Sequence, residues 1–383
     1  MNKKLFCLFM NFVLIFSVSI YANDNNLNGF GDDLLLEQDD FSSQEEYEDY
    51  LDEHPEVEPQ QYTEIPDSQS MVRATSGSTG TATATLEYTI VGLPSNNAIQ
   101  KTYITSKYVY VLQKVGSDSY LSRCVISGTR ANYQDCMVLK RFGHTQTLEM
   151  FQNNGKEYFW VGCKANEKYE DYKWATQLAR IQYSPRSDID YTEVYRFSSL
   201  SYANGDGISI GTIKRADAAL SSNGKKLFLW VQDDTGEIQY SYYDAGVLNA
   251  KLDALEKNGG SKYIAFTNAD IKKACYGSFR QSGSNRVLPN GSCQGVEFND
   301  ADNIFIIGGN QNEAPKIAKL TGSKSNYTFS KLVTVTNSNL GVGAYAETEG
   351  IQLKGDYIYF GIYYKNKTDP GRWQIYKILK SAF

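Results

Sequence analysis

Five segments of this sequence share one design, and their repetition constrains the fold more than any other feature. Each has a polar residue, a short alternating strand, a turn, and then a strand of aliphatic and aromatic residues. The segments are 99–113, 145–162, 216–232, 293–309 and 348–364. After most of them two more alternating stretches follow, so the repeating unit has four strands. Five such units predict an all-β fold, a five-bladed β-propeller.

The composition of this region favours strands. The chain has 29 Tyr and 31 Gly but only 8 Pro, and aromatic and β-branched residues prefer strands. Two short helical insertions are also predicted, at 245–257 and at 268–277. Asn268 is the expected N-cap of the second, because its side chain can accept the first free amide hydrogens of a helix.

Alignment of the five segments places polar residues in one column. The column consists of Gln100, Gln146, Asp217, Gln294 and Glu349, which we call the polar ring. The first strand of each blade lines the channel of a propeller, so the ring is predicted to surround the axis. Two interpretations remain open. The side chains could join neighbouring blades, since buried polar groups need partners, or they could bind a polar ligand or an ion at the channel mouth.

The N-terminus predicts export. Residues 1–22 begin with Lys3 and Lys4, continue as an apolar run and end at Ala22, which is typical of a signal peptide cleaved after Ala22. An uncleaved anchor is the alternative, but the run is short and no basic flank follows it. We therefore expect a secreted or cell-surface protein with no transmembrane span in the mature chain.

Residues 23–85 are predicted to be a disordered acidic leader followed by a Ser/Thr/Gly linker at 74–85. Residues 1–85 hold 16 of the 44 acidic residues and three of the 38 basic ones, so residues 86–383 carry 35 basic and 28 acidic side chains. The predicted propeller domain, 86–383, is thus mildly basic. A basic body attracts anionic partners over long range, although an ordinary solubilising charge excess explains it as well.

Cysteine and metal-binding patterns are sparse. Cys124 and Cys136 fall on two strands expected to be adjacent, and export permits disulfides, so they are the candidate pair. The sequence has no CxxC, HExxH or phosphate-binding loop, and hence predicts no metal or other cofactor. His144, just before the ring, is the one histidine outside the leader. A lone histidine is more often structural than catalytic.

The sequence contains candidates for both enzymatic and binding chemistry. A glycosidase needs two carboxylates, for which Asp217 and Glu349 are candidates, but three ring positions are glutamines, which cannot serve as acid or base. Binding sites for polymers use aromatic faces for sugars and basic groups for phosphates or carboxylates. Besides the ring, we therefore single out His144, Arg215 and Trp174 as ligand-binding candidates. Trp174 lies in a polar stretch and is expected to be exposed.

Several stretches resemble a known family. YLSRCVISG, FGHTQTLEMF, YKWATQLARIQY, SYANGDGISIGTIKRADAALSSNGK, RVLPNGSCQGVEF and EGIQLKGDYIYFGI are similar, from about residue 86 to 380, to the helveticin J family of class III bacteriocins. The resemblance implies a β-propeller of the kind shared with teichoic-acid-associated and phage receptor-binding proteins. No catalytic residues can be carried over from the resemblance.

The function expected from this resemblance is that of an exported, bacteriocin-like antibacterial protein. Its partner would be an anionic or glycan component of bacterial envelopes, such as teichoic acid, and not a nucleic acid. A glycan-cleaving enzyme and a non-lethal protein for surface adhesion or recognition are the alternatives.

Overall fold

The protein is represented by a computed structural model that describes residues 77–383. The predicted signal peptide and acidic leader therefore lie outside the described residues. Among the described residues, no helix has the length and apolar character that a bilayer span requires.

Twenty-three strands run through the described residues. In chain order they are β1 (Ser78–Thr83), β2 (Thr85–Val91), β3 (Ile99–Ile104), β4 (Tyr108–Val115), β5 (Asp118–Ser127), β6 (Arg130–Lys140), β7 (Leu148–Asn153), β8 (Lys156–Ala165), β9 (Ala175–Ile181), β10 (Asp188–Asp190), β11 (Tyr195–Ser198), β12 (Ile213–Leu220), β13 (Lys226–Asp233), β14 (Ile238–Asp244), β15 (Tyr263–Ala265), β16 (Cys275–Gln281), β17 (Gly295–Phe298), β18 (Ile304–Gly308), β19 (Lys316–Ser323), β20 (Asn326–Thr336), β21 (Ala346–Lys354), β22 (Tyr357–Tyr364) and β23 (Trp373–Leu379).

Two α-helices interrupt the strands, α1 (Ala245–Asn258) and α2 (Ala269–Lys273). Both confirm the predicted insertions. Asp244 caps α1 by accepting a hydrogen bond from the Val247 amide at 3.0 Å, and Asn268 caps α2 as expected. Single 3₁₀ turns lie at Tyr191–Glu193, Leu200–Tyr202, Gly283–Asn285, Pro289–Gly291 and Lys380–Ala382.

Twenty of the strands form five antiparallel groups of four, and β1, β10 and β15 each pair in parallel with the last strand of a group. Three of the groups are β7-β8-β9-β11, β12-β13-β14-β16 and β17-β18-β19-β20, each in its own sheet. The remaining sheet holds two groups, β3-β4-β5-β6 and β21-β22-β23-β2, which meet through the parallel pair of β2 and β6. In the last group β2 pairs antiparallel with β23, so a strand from the N-terminal end of the described chain completes the C-terminal group.

The first strands of the groups form a closed cycle. β3 contacts β7, β7 contacts β12, β12 contacts β17, β17 contacts β21, and β21 contacts β3 again. Apolar side chains fill the space between the groups, and the second strands are therefore apolar on both faces; β18, for example, is buried along its whole length. The all-β prediction is confirmed, and the cycle is the arrangement expected of a propeller-like fold.

The prediction that residues 78–83 belong to a linker is wrong. Residues 78–83 form β1, which pairs in parallel with the outer strand β20. Ala84 is buried beside it and Ala82 packs on the same apolar cluster. Small residues lower strand propensity, but here an open strand edge supplies hydrogen-bond partners for the backbone, which outweighs that preference.

The predicted disulfide between Cys124 and Cys136 is also absent, since both residues are thiols. A bulge lies between Arg123 and Cys124, and it shifts the pairing of β5 with β6. Cys136 consequently stands opposite Ser122, while Tyr133 stands opposite Cys124. The two cysteines are diagonal rather than facing neighbours, a separation that disfavours a bond between them.

Gly350 permits the closest approach within the cycle. Its φ of +37° lies in the left-handed region, and a Cβ there would lie 2.7 Å from the Gln100 carbonyl oxygen and 2.8 Å from Lys101 Cα. The glycine that follows the ring residue in the middle of β21 is thus explained by packing, because a side chain at position 350 would push β3 and β21 apart.

We predict that Gly350→Ala lowers the free energy of unfolding by about 3 kcal/mol, from backbone strain and collision with a neighbouring main chain. The matched control is Gly355→Ala, where φ is also positive, +53°, but a Cβ meets nothing within 4 Å. Urea denaturation followed by fluorescence would measure both. Equal losses in the two variants would show that β3 and β21 are not in tight contact.

Candidate functional site

Four members of the polar ring form one hydrogen-bonded network, with Gln146 at its centre. The Gln146 side-chain amide donates to Gln294 Oε1 at 2.8 Å and to Glu349 Oε2 at 3.4 Å. Its main-chain amide donates to Asp217 Oδ1 at 3.1 Å. Residues from four first-strand segments are thereby joined. The ring connects one pair of neighbouring groups through Gln146 and Asp217, and it links other groups across the channel.

Gln100, the fifth member, is not joined to this network by a side-chain hydrogen bond in the described residues. It is only 7% exposed, and its Oε1 is buried without a hydrogen-bond partner among residues 77–383. A buried carbonyl oxygen of this kind is uncommon because its desolvation is uncompensated.

Arg215 supports the ring from the start of β12. Its guanidinium donates to Gln146 Oε1 at 2.8 Å and to the Cys293 carbonyl oxygen at 3.0 Å, and it forms an ion pair with Asp217. Arg215 is buried, so the nearby carboxylate is needed to offset its charge. It therefore offers no free positive charge at the ring.

An aromatic stack lies against Arg215. The guanidinium is 3.9 Å from the centre of the Trp174 ring. Trp174 stacks on His144, with ring centres 3.8 Å apart, and on Tyr172 at 5.7 Å. Trp174 is only 9% exposed, so its predicted exposure is wrong: His144 and Arg215, which are distant in sequence, cover it. Tyr172 is 55% exposed and is the member of the stack that reaches solvent.

His144 is uncharged at neutral pH. Burial and the neighbouring Arg215 charge hold its pKa well below the usual value, since both disfavour the imidazolium form. His144 therefore packs against Trp174 and holds the aromatic stack in place, and it contributes no positive charge.

A buried charge cluster lies beside the ring, and the sequence analysis missed it. The Lys101 ammonium lies 2.9 Å from Glu149 Oε1 and 2.8 Å from Glu297 Oε1, and all three side chains are almost fully buried. Glu149 and Glu297 each follow a ring glutamine by three residues. Extending the alignment by three positions would have revealed them.

Burial favours uptake of a proton by the two carboxyls of this cluster. Burial and the neighbouring Glu297 raise the pKa of Glu149 well above its ordinary value, and burial also raises the pKa of Glu297 despite Lys101. Two carboxylates at one ammonium would leave an uncompensated buried charge, which is costly. With one carboxyl protonated, the cluster is neutral and joins β3, β7 and β17.

The two carboxylates considered for catalysis differ in their surroundings. Burial, then Glu347, raises the pKa of Glu349 well above its ordinary value, as a general acid requires. Asp217 instead is held by Arg215 and by the Gln146 amide, and so is not poised to attack a substrate. Within residues 77–383, no three side chains of His, Cys, Asp or Glu gather as a metal site would require.

Comparison with known proteins identifies one family. The family model described as "Bacteriocin helveticin-J" matches residues 81–381. A search of curated proteins found no match.

Solved structures show only distant similarity. A GH43_1 enzyme from Xanthomonas citri has a TM-score of 0.37 and 9% identity, covering 78% of this chain and 90% of its own. The polysaccharide lyase Uly1 has a TM-score of 0.32 and 9% identity, covering 82% and 95%. A periplasmic gluconolactonase from Pseudomonas aeruginosa has a TM-score of 0.30 and 11% identity, covering 71% and 66%. Similarity at this level supports no inference about activity.

Removal of the ammonium from the buried charge cluster should destabilise the protein. We predict that Lys101→Met lowers the free energy of unfolding by about 3–5 kcal/mol, because two carboxyls lose their counter-charge. Adding Glu297→Gln should recover part of that loss. Lys156→Met on the exposed surface is the control and should change stability by less than about 0.5 kcal/mol. If the double variant is no more stable than Lys101→Met, the charge argument is wrong.

The shared proton should make stability depend on pH. Because the folded pKa is raised, the folded protein keeps a proton that the unfolded chain releases above about pH 4.3, so stability falls as pH rises from there towards the folded pKa. Glu149→Gln should remove this component, changing the slope by up to about 1.4 kcal/mol per pH unit. Urea denaturation from pH 5 to 8 would measure it. Parallel curves for the two proteins would rule out the shared proton.

Proposed function

We propose the function of this protein from the premise that the chain belongs to the bacteriocin helveticin-J family. It is an exported, bacteriocin-like antibacterial protein that recognises a component of bacterial envelopes, and its channel mouth binds a glycan. The observation that supports this most directly is the exposed Tyr172 side chain, which stacks on Trp174. Trp174 in turn packs on Arg215, which hydrogen-bonds Gln146 of the ring.

We propose that the propeller has five blades around this site. Five antiparallel groups of four strands and the closed cycle of their first strands support this count. In that arrangement β2 closes the propeller by completing the blade of β21, β22 and β23.

The charges at the mouth favour a neutral, hydroxyl-rich ligand over an anion. Arg215 is offset by Asp217, His144 is neutral at pH 7, and Glu349 supplies no positive charge. Gln294 and Gln100 offer amide groups that suit sugar hydroxyls, and an exposed tyrosine suits the apolar face of a sugar ring. The net basic character of residues 86–383 would then assist the approach to anionic envelopes without supplying specificity.

Binding to purified cell walls tests the proposal. Walls with teichoic acid and walls stripped of it should be compared, to identify which polymer carries the ligand. Tyr172→Ala should weaken binding by about tenfold, the effect of about 1.4 kcal/mol of lost stacking. Tyr133→Ala, which removes another surface tyrosine, is the control. Equal binding by wild type and both variants would place recognition elsewhere.

Glycan cleavage is the second candidate, and the raised pKa of Glu349 is the observation that favours it. Incubation with envelope glycans should then release reducing ends, and Glu349→Gln should abolish that release. The engaged state of Asp217 weighs against this candidate. Inhibition of bacterial growth separates an antibacterial protein from one that only adheres to surfaces.

A further inference from the structure

Glu349 is a buried carboxylate with little compensation. It is 3% exposed, and the one hydrogen bond that it accepts within the described residues is the 3.4 Å contact from Gln146. Buried carboxylates in proteins are normally paired with a cation, well hydrogen-bonded or coordinated to a metal. The nearby Arg215 is already paired with Asp217, so it does not fill this role.

Gln100 supplies a second, independent sign of a missing partner. Its Oε1 is buried and has no hydrogen-bond partner among the described residues. Gln100 and Glu349 lie next to each other in the cycle of first strands, because Gly350 packs against the Gln100 main chain. Both also occupy the ring position of their repeats. An unpartnered carbonyl oxygen therefore lies on the strand adjacent to an under-compensated carboxylate.

Gln294 completes an oxygen-rich set. Its Oε1 accepts a hydrogen bond from Gln146, the same amide that contacts Glu349, and a carbonyl oxygen can take a second partner. The set thus contains one carboxylate from the middle of β21 and two amide carbonyls, one from β3 and one from the residue before β17. Oxygen ligands of this type suit hard cations. Because most of them are amides, a search confined to His, Cys, Asp and Glu would not detect such a site.

We propose that the polar ring binds a hard cation, of the Na⁺ or Ca²⁺ class, through Glu349, Gln100 and Gln294. The cation offsets the charge of Glu349 and provides the partner that Gln100 lacks. It also links three first-strand segments across the channel. The half-buried Glu347 is close enough to act electrostatically on Glu349, and its negative charge adds to the attraction for a cation.

The main rival is a protonated Glu349 that donates a hydrogen bond to Gln100. Both arrangements satisfy the same two groups, and they differ in whether an ion is taken up. The experiment must therefore measure the ion itself, and it needs no envelope ligand, so its outcome is independent of the glycan proposal.

Titration calorimetry at pH 7.5 on the chelator-treated protein tests the proposal. CaCl₂ and NaCl are the two probes, with choline chloride holding the ionic strength constant. We expect saturable binding of at least one of them with one site per chain, and a rise in melting temperature at saturation. Glu349→Gln and Gln100→Leu should each weaken binding at least tenfold.

Glu157→Gln, which removes an exposed carboxylate at the start of β8, is the control and should bind as the wild type does. No saturable binding of either cation would overturn the proposal, and so would unchanged binding in Gln100→Leu and Glu349→Gln. If Glu349→Gln does not fold, Gln100→Leu decides, because it removes a neutral ligand and leaves the carboxylate in place.

Discussion

The structure depends on how polar groups are satisfied where the first strands meet. β3, β7, β12, β17 and β21 form a closed cycle, and side chains that converge on its centre lose their water. Gln146 joins three ring residues, and Lys101 joins two glutamates. If these groups lacked partners, each would cost free energy comparable to that gained from burying a large apolar side chain. The networks therefore hold the first strands together, both between neighbours and across the centre of the cycle.

The same constraint explains why the ring is both structural and a candidate site. Gln146, Arg215 and Asp217 hydrogen-bond or pair with one another. These three residues therefore join groups of strands and are not free to bind a ligand. Among the described residues, Gln100 Oε1 has no hydrogen-bond partner and Glu349 accepts only one long hydrogen bond. Within this single ring, some residues therefore have a structural role and others are candidates for binding. Symmetry alone does not assign one role to all five.

Much of this fold could be predicted from the sequence. Alternation of apolar residues in segments such as KKLFLWVQ identifies strands, and repetition of the segments identifies the polar column. The course of residues 78–83 could not be predicted, because Thr, Ala and Gly give no sign that the edge of β20 is open to them. Burial of Trp174 depends on His144 and Arg215, which reach it only in the folded chain. The Lys101 cluster was missed because charged residues in strands usually face solvent.

The central claim is that the channel mouth recognises a glycan by its hydroxyl groups and its apolar face. The most direct measurement is the affinity of the protein for envelope glycan fragments, with and without their phosphate groups, between 0.05 and 0.5 M salt. The account predicts that dephosphorylated fragments bind as tightly as phosphorylated ones and that salt changes the affinity less than about threefold, because Arg215 is paired with Asp217 and His144 is neutral, so the mouth offers phosphate no free positive charge. Binding that requires phosphate and falls steeply with salt would contradict it.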